Sequence, residues 1–188
     1  YSHPVPYGEM IQRSREVHKS WAQVSFHDRS SYLRRMKNYI RDHADEIALR
    51  ISKGTGKTLV DALATEVIPS MMACDWYAKH TAGFLKPQTM GSSSLLFPQK
   101  KHEIHRLPLG VVAIISPWNY PFTIPFGEVL MGIMTGNAIL LRVDERVGDV
   151  GRAIGEICEA SGLPPGLVSV VEDEGPRAAR GFFEGGID

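Results

Sequence analysis

Apolar positions recur every three or four residues through the stretch that follows residue 30. Leu33, Met36 and Ile40 form one set; Ala44, Ile47, Ala48 and Ile51 form the next. This spacing lines one helix face, so two helices are predicted, the first capped by Ser30 or Ser31 and the second started by Asp42 or Asp45. "TLVDALATEVIPSMMACDWYAKHTAGFL" continues the period as a long helix, interrupted or kinked near Pro69, which cannot donate the interior hydrogen bond. "KPQTMGSSS" loses the pattern and is expected as a loop. "LLFPQKKHEIHRLPLG" alternates polar and apolar residues and predicts one or two exposed strands.

From Pro108 the pattern changes. "GVVAIIS" is a continuous apolar run, expected for a strand buried on both faces of a parallel sheet. A helix ("FGEVLMGIMTG"), a strand ("NAILLRV"), a helix ("VGRAIGEICEASG"), a strand ("LVSVVED") and a helix ("GPRAARGFFEGG") follow. Such alternation predicts a right-handed parallel α/β sheet. The chain therefore divides into a helical segment over 1–90, a strand arm over 91–107 and an α/β part over 108–188.

Composition narrows the function classes. Of 188 residues, 43% are hydrophobic and 22% charged, enough apolar content to bury a core. Lys and Arg (21) balance Asp and Glu (21), so no basic excess points to nucleic acid or an anionic membrane. The apolar runs are too short to span a bilayer, and "YSHPVPYGEM" has no signal-peptide pattern. Two cysteines form neither a disulfide framework nor a zinc set, which points to a reducing cytoplasm and no metal. The chain lacks an initiator Met and stops at "FFEGGID", a helix running toward another strand, so a truncated chain is expected.

"SKGTGKTL", residues 52–59, spells the end of a phosphate-binding P-loop. That motif needs a glycine five positions before Gly56, delivered by a buried strand. Position 51 is Ile51, and the preceding "ADEIALRIS" has helical periodicity. "AILLRVDE" does mimic the strand ending in a magnesium-binding Asp, but apolar strands ending in an acid are common in α/β sheets. A glycine helix stop followed by a new helix start accounts for the stretch better.

"ISPWNYPF", residues 115–122, ends the first apolar strand, where open α/β sheets bind their ligands. Pro117 and Pro121 stiffen the turn and push Ser116 and Tyr120 toward extended geometry. The Asn119 amide is able to donate to an oxygen that gains negative charge; taken alone, Asn119 reads better as a cap of the following helix. Trp118 alone reads as a packing residue. His102 and His105 fall on opposite faces of a strand, which argues against a shared metal.

"LPLGVVAIISPWNYPF", "GNAILLRVDE" and "ASGLPPGLVSVVEDEG" closely resemble three successive blocks of the NAD(P)-dependent aldehyde dehydrogenases, in the same order. "GTGKTLVDALATEV" resembles a helical segment of the same family, so the resemblance covers essentially the whole chain. It implies the N-terminal portion of that fold: a helical layer and a strand arm, then part of a Rossmann-like parallel sheet. It implies oxidation of a small-molecule aldehyde to a carboxylic acid through a cysteine thiohemiacetal, and a homo-oligomer assembled partly through the arm.

Carried over residue by residue, Asn119 would hold the oxyanion. The backbone of Ile115, Ser116, Pro117 and Trp118 would line the nicotinamide side of the cofactor cleft. Arg142, Val143, Asp144 and Glu145 fall on the block that binds the adenine ribose. There Glu145 matches, Arg142 replaces the usual lysine, and Val143 replaces a proline. Asp144 would repel a 2′-phosphate, which favours NAD over NADP. Cys158 shares an apolar helix face with Ile154, and Cys74 lies within "MMACDWY", so neither reads as the nucleophile. The family's cysteine and glutamate motifs and its "FTGS" segment fall beyond Asp188, which predicts no activity for this chain alone. Two other readings compete: a non-catalytic α/β binding or assembly module, motivated by the changes at residues 142–144, and a P-loop nucleotide triphosphatase.

Overall fold

The computed structural model describes residues 5–91 and 101–188. Four helices come first: α1 (Tyr7–Trp21), α2 (Phe26–Asp42), α3 (Ala44–Thr55) and the short α4 (Leu59–Ala62). A π-helical segment, Leu63–Val67, leads into α5 (Ile68–Leu85). The interruption expected near Pro69 is therefore a widened turn just before the proline, which falls where the hydrogen-bond pattern shifts from π to α.

Two details depart from the sequence reading. The cap of α2 is Ser25, which accepts from Asp28 N at 3.1 Å. Ser30 and Ser31 lie inside the helix, and their hydroxyls donate back to the carbonyls of Phe26 and Asp28. The segment expected as a loop contains strand β1 (Gln88–Met90), paired antiparallel with β2 (His102–Ile104). Pairing with a partner strand overrides the turn signals of the flanking proline and glycine. Residues 92–100 of the expected arm lie outside the described residues.

The α/β part follows the predicted alternation: β3 (Val111–Ile115), α6 (Thr123–Met134), β4 (Ala138–Arg142), a 3-10 turn at Glu145–Val147, α7 (Gly148–Ala160), β5 (Val168–Val171) and α8 (Gly175–Gly185). The strands form one parallel sheet in the order β3, β4, β5, with Val111 opposite Ala138 and Ile139 opposite Val168. Asn137 fixes the entry, its Oδ1 accepting from Leu109 N at 2.7 Å and Gly110 N at 3.0 Å.

Alternation along β4 explains why all five of its residues are buried. Ile139 packs beside Gly132 of α6, and the in-phase Val143 beside Gly151 of α7. Arg142, on the opposite phase, lies against Gly175 at the start of α8. β3 does not meet the expectation of burial on both faces. Among the described residues it has a strand neighbour on one side only, and Ile115 is 48% exposed beside an open groove lined by Val112, Ile114, Glu128 and Met131.

The N-terminal helices share the core of the sheet rather than forming a separate one. Trp21 of α1 is fully buried and its Nε1 donates to Ile133 O of α6 at 2.8 Å. Arg29 of α2, 4% exposed, donates to Trp21 O, Ala22 O and Met134 O at 2.9 to 3.0 Å. One guanidinium thus closes the carboxyl ends of two helices that would otherwise bury unpaired carbonyls.

The turn at "SKGTGKTL" joins two helices. Gly56 ends α3 in the left-handed region at φ 77°, a conformation costly for any residue with a Cβ. Thr58 then caps α4 by accepting from Asp61 N at 3.1 Å.

Candidate functional site

Because the three strands are parallel, their carboxyl ends meet along one rim. Ser116 N, just beyond β3, donates to Arg142 O at 2.9 Å, and Arg142 Nε donates to Asp173 O, just beyond β5, at 3.0 Å. The rim brings together Ser116, Trp118, Arg142, Asp144 and Glu145 from the sequence-predicted set. Ile115 closes β3 and its side chain faces solvent.

The acids after β4 are divided between two arginines. Arg142 is 5% exposed and pairs with the Glu145 carboxylate while bonding Asp173 O. Of the partners open to it from sequence, it takes Glu145 and not Asp144. Asp144 instead receives Arg146 through Nε at 2.8 Å, Nη2 at 2.9 Å and the backbone N–H at 3.1 Å. These bonds hold the Asp144 carboxyl down at about 2. Arg146 also lies 4.8 Å from the centroid of the Trp118 ring. Trp118 is therefore not the packing residue that sequence alone suggests; it is 43% exposed and bridges the ends of β3 and β4.

Asn119 is exposed within the bend that carries the rim into α6. It does not cap that helix: the N-cap position belongs to Phe122, which offers no side-chain bond. The cap comes from elsewhere. Glu66, from the π segment, accepts from Phe122 N at 2.8 Å and Thr123 N at 3.3 Å, and its other oxygen accepts from Lys57 Nζ at 2.5 Å. Lys57, the lysine of the phosphate-loop look-alike, serves a carboxylate here. Sequence reasoning missed this pair and Arg146. One signal was available: Ala62, Glu66, Ser70 and Cys74 form a stripe at four-residue spacing, and an acid on such a buried stripe requires a partner.

A polar ligand suits the rim. Ser116 Oγ is buried, with the residue 3% exposed, and has no hydrogen-bond partner among the described residues. A buried hydroxyl left unpaired at the carboxyl end of a parallel strand calls for a polar partner, and the half-exposed Glu145 carboxylate after β4 is of the kind that accepts from a ribose hydroxyl. Ser116 and Glu145 thus fit a dinucleotide, whereas Arg142 is already committed to protein partners.

Cys74 and Cys158 are both buried, and burial pushes each thiol up to about 12. Neither is poised as a nucleophile. Among the described residues, no three His, Cys, Asp or Glu side chains converge as a metal site, and no helix is long and apolar enough to cross a membrane.

Comparison with known proteins bears on the family and the fold. The chain is 31% identical to a 4,4′-diapolycopene aldehyde oxidase of Methylomonas, over 99% of its own length and 37% of the relative's. It is 33% identical to the peroxisomal aminoaldehyde dehydrogenase 1 of Pisum sativum, over 88% of its own length and 32% of the relative's. The chain spans about a third of the length of these relatives. The fold superimposes on the crystal structure of an aldehyde dehydrogenase from Brucella melitensis biovar abortus with a TM-score of 0.85, at 24% identity, covering 93% of this chain and 35% of that one. The model of the aldehyde dehydrogenase family matches residues 5–185, and the chain belongs to that family.

Proposed function

We propose that this chain is the N-terminal, cofactor-binding part of an enzyme that oxidises an aldehyde to a carboxylic acid with NAD(P)+. The observation that carries the reading is the rim: a proline-framed turn exposes Asn119 at the carboxyl end of β3, three residues after the orphaned Ser116 hydroxyl, and Trp118 under Arg146 ties that turn to the acids that follow β4. When bound, the dinucleotide supplies the hydride acceptor. Ser116 and the backbone of residues 115–118 would line its nicotinamide side, and Glu145 would accept from its ribose. Asn119 would donate to the aldehyde oxygen as that oxygen gains negative charge.

The nucleophile this chemistry needs is neither Cys74 nor Cys158, since both thiols are buried. The 188-residue chain alone is therefore expected to be inactive, and turnover of any aldehyde by the purified chain would refute that. NAD is favoured over NADP because the Asp144 carboxylate engages Arg146, the cation that would otherwise meet a 2′-phosphate. Homo-oligomerisation through the arm and a cytoplasmic location belong to the same proposal.

The test is Asn119→Ala in the gene's full-length product. Loss of one oxyanion donor should lower kcat by about 100-fold and leave dinucleotide affinity within about twofold. An unchanged kcat rejects the reading. One observation favours a second reading, a non-catalytic module: Arg142, which stands at the family's ribose-binding lysine, is buried and committed to Asp173 and Glu145. No detectable binding of NAD or NADP by the full-length product would support it.

A further inference from the structure

Glu66 has no exposed surface. A buried carboxylate costs several kcal/mol unless it is paired and hydrogen-bonded, so its partners show what that cost maintains. They converge on one object. Oε1 takes the Lys57 ammonium; Oε2 takes Phe122 N and Thr123 N, the first free N–H groups of α6. The Lys57 ammonium also lies 3.9 Å from the centroid of the Tyr120 ring.

One ion pair thus holds the 116–122 turn at Tyr120 and at Phe122, immediately after Asn119. The turn's other end is fixed by Ser116 N on Arg142 O. α6 has no capping side chain of its own, and Pro125 brings no N–H to its first turn. A carboxylate at that end is favoured by the helix dipole. The extra residue of the π segment, Leu63–Val67, lies where Glu66 and Val67 are both turned inward.

We propose that Lys57 and Glu66 are positioning residues for aldehyde oxidation: the buried pair sets the attitude of the 116–122 turn and so the direction of the Asn119 amide. This rests on the reading of Asn119 given above. Neither residue touches substrate; both act through the turn. A pair that served only as helix cement would affect stability and leave the turn and the chemistry unlinked.

The experiment uses Glu66→Gln and Lys57→Gln in the gene's full-length product. Lys57→Gln, at a side chain 20% exposed, serves where Glu66→Gln does not fold. Hydrogen–deuterium exchange is followed in peptides covering 116–124, with the β4 peptide as control for the fold. Exchange in the turn should rise about tenfold in both variants while β4 stays protected. Kcat should fall about 10- to 100-fold, with the KM for dinucleotide nearly unchanged, and Lys57→Arg should recover most of the loss. Adding Glu66→Gln to Asn119→Ala should cost less than about threefold more, because both changes remove one interaction.

A turn that stays protected in both variants overturns the proposal. So does a loss of kcat that adds in full to that of Asn119→Ala. If Asn119→Ala itself leaves kcat unchanged, the oxyanion reading falls and the positioning role falls with it. If Asn119→Ala lowers kcat while the turn stays protected in Glu66→Gln, only the positioning role falls.

Discussion

The Arg146 guanidinium lies over the Trp118 ring, 4.8 Å from its centroid, and Asp144 holds it there through both carboxylate oxygens. This contact joins the turn after β3 to the turn after β4 and gives the rim its electrostatic character. Asp144 is not a free negative charge facing the crevice; it is half of an ion pair whose cation is 57% exposed.

Asp144 therefore titrates low. Its folded value, about 2, lies below the ordinary value of 3.8. A carboxyl depressed in this way stabilises the fold fully above the ordinary value and loses that contribution as pH falls toward the folded one. Arg146→Ala should raise the Asp144 value toward 3.8 and narrow this window. Carbon-detected NMR titration of Asp144 between about pH 5 and pH 2 reads the shift. Because Arg146 is exposed and its charge is screened by solvent, the stability lost at neutral pH should be small.

The same pair bears on dinucleotide choice. Asp144→Asn removes the charge expected to repel a 2′-phosphate and frees Arg146 to meet one. NADP binding should strengthen relative to NAD by about five- to tenfold, a modest effect because the site is solvated and screened. Fluorescence titration of the full-length product with each dinucleotide measures the ratio. An unchanged ratio would remove Asp144 from the account of selectivity.

Much of this was legible in the sequence because period and chemistry agreed locally. The run "GVVAIIS" and the later β/α alternation marked the sheet, and "ISPWNYPF" fell at a carboxyl end, where parallel sheets bind ligands. What escaped depends on partners distant in sequence. Glu66 caps a helix 56 residues away, a bond that no local pattern announces. Asn119 was the cap the sequence offered, yet α6 starts after Phe122 and a carboxylate from another helix meets its first N–H groups. The exposed side of β3 escaped for a related reason: an apolar run reports that a strand is suited to burial, not which neighbours cover it.

Arg29 tests how far the N-terminal helices depend on the sheet layer. Its guanidinium serves three carbonyls from two helices and stacks near the Trp21 and Phe26 rings, with no carboxylate partner. Arg29→Met keeps the stem but leaves those carbonyls unpaired in the interior. The cost should be about 2 to 4 kcal/mol in urea unfolding. Arg29→Lys should recover less than half, because a compact ammonium does not reproduce the planar fork.

Gly181 offers the last test, and its sign is opposite to ordinary expectation. Within an exposed helix, Gly→Ala stabilises by roughly 0.5 to 1 kcal/mol through backbone entropy. In α8, however, a Cβ on Gly181 would lie 2.6 Å from Tyr7 Cγ. The Tyr7 ring is held at its edge and at its hydroxyl. It stands edge-on to Phe182 at 5.3 Å, and its hydroxyl donates to the buried Asp173 carboxylate at 2.8 Å. Relief would require α1 and α8 to separate, which opens the face of the sheet they cover. Overpacking of this kind costs about 1 to 3 kcal/mol, so Gly181→Ala should destabilise the protein despite the entropic gain. Urea unfolding of Gly181→Ala beside the double variant with Tyr7→Ala separates the two terms. The double variant removes the obstructing ring, and there the glycine replacement should be neutral or stabilising relative to Tyr7→Ala alone.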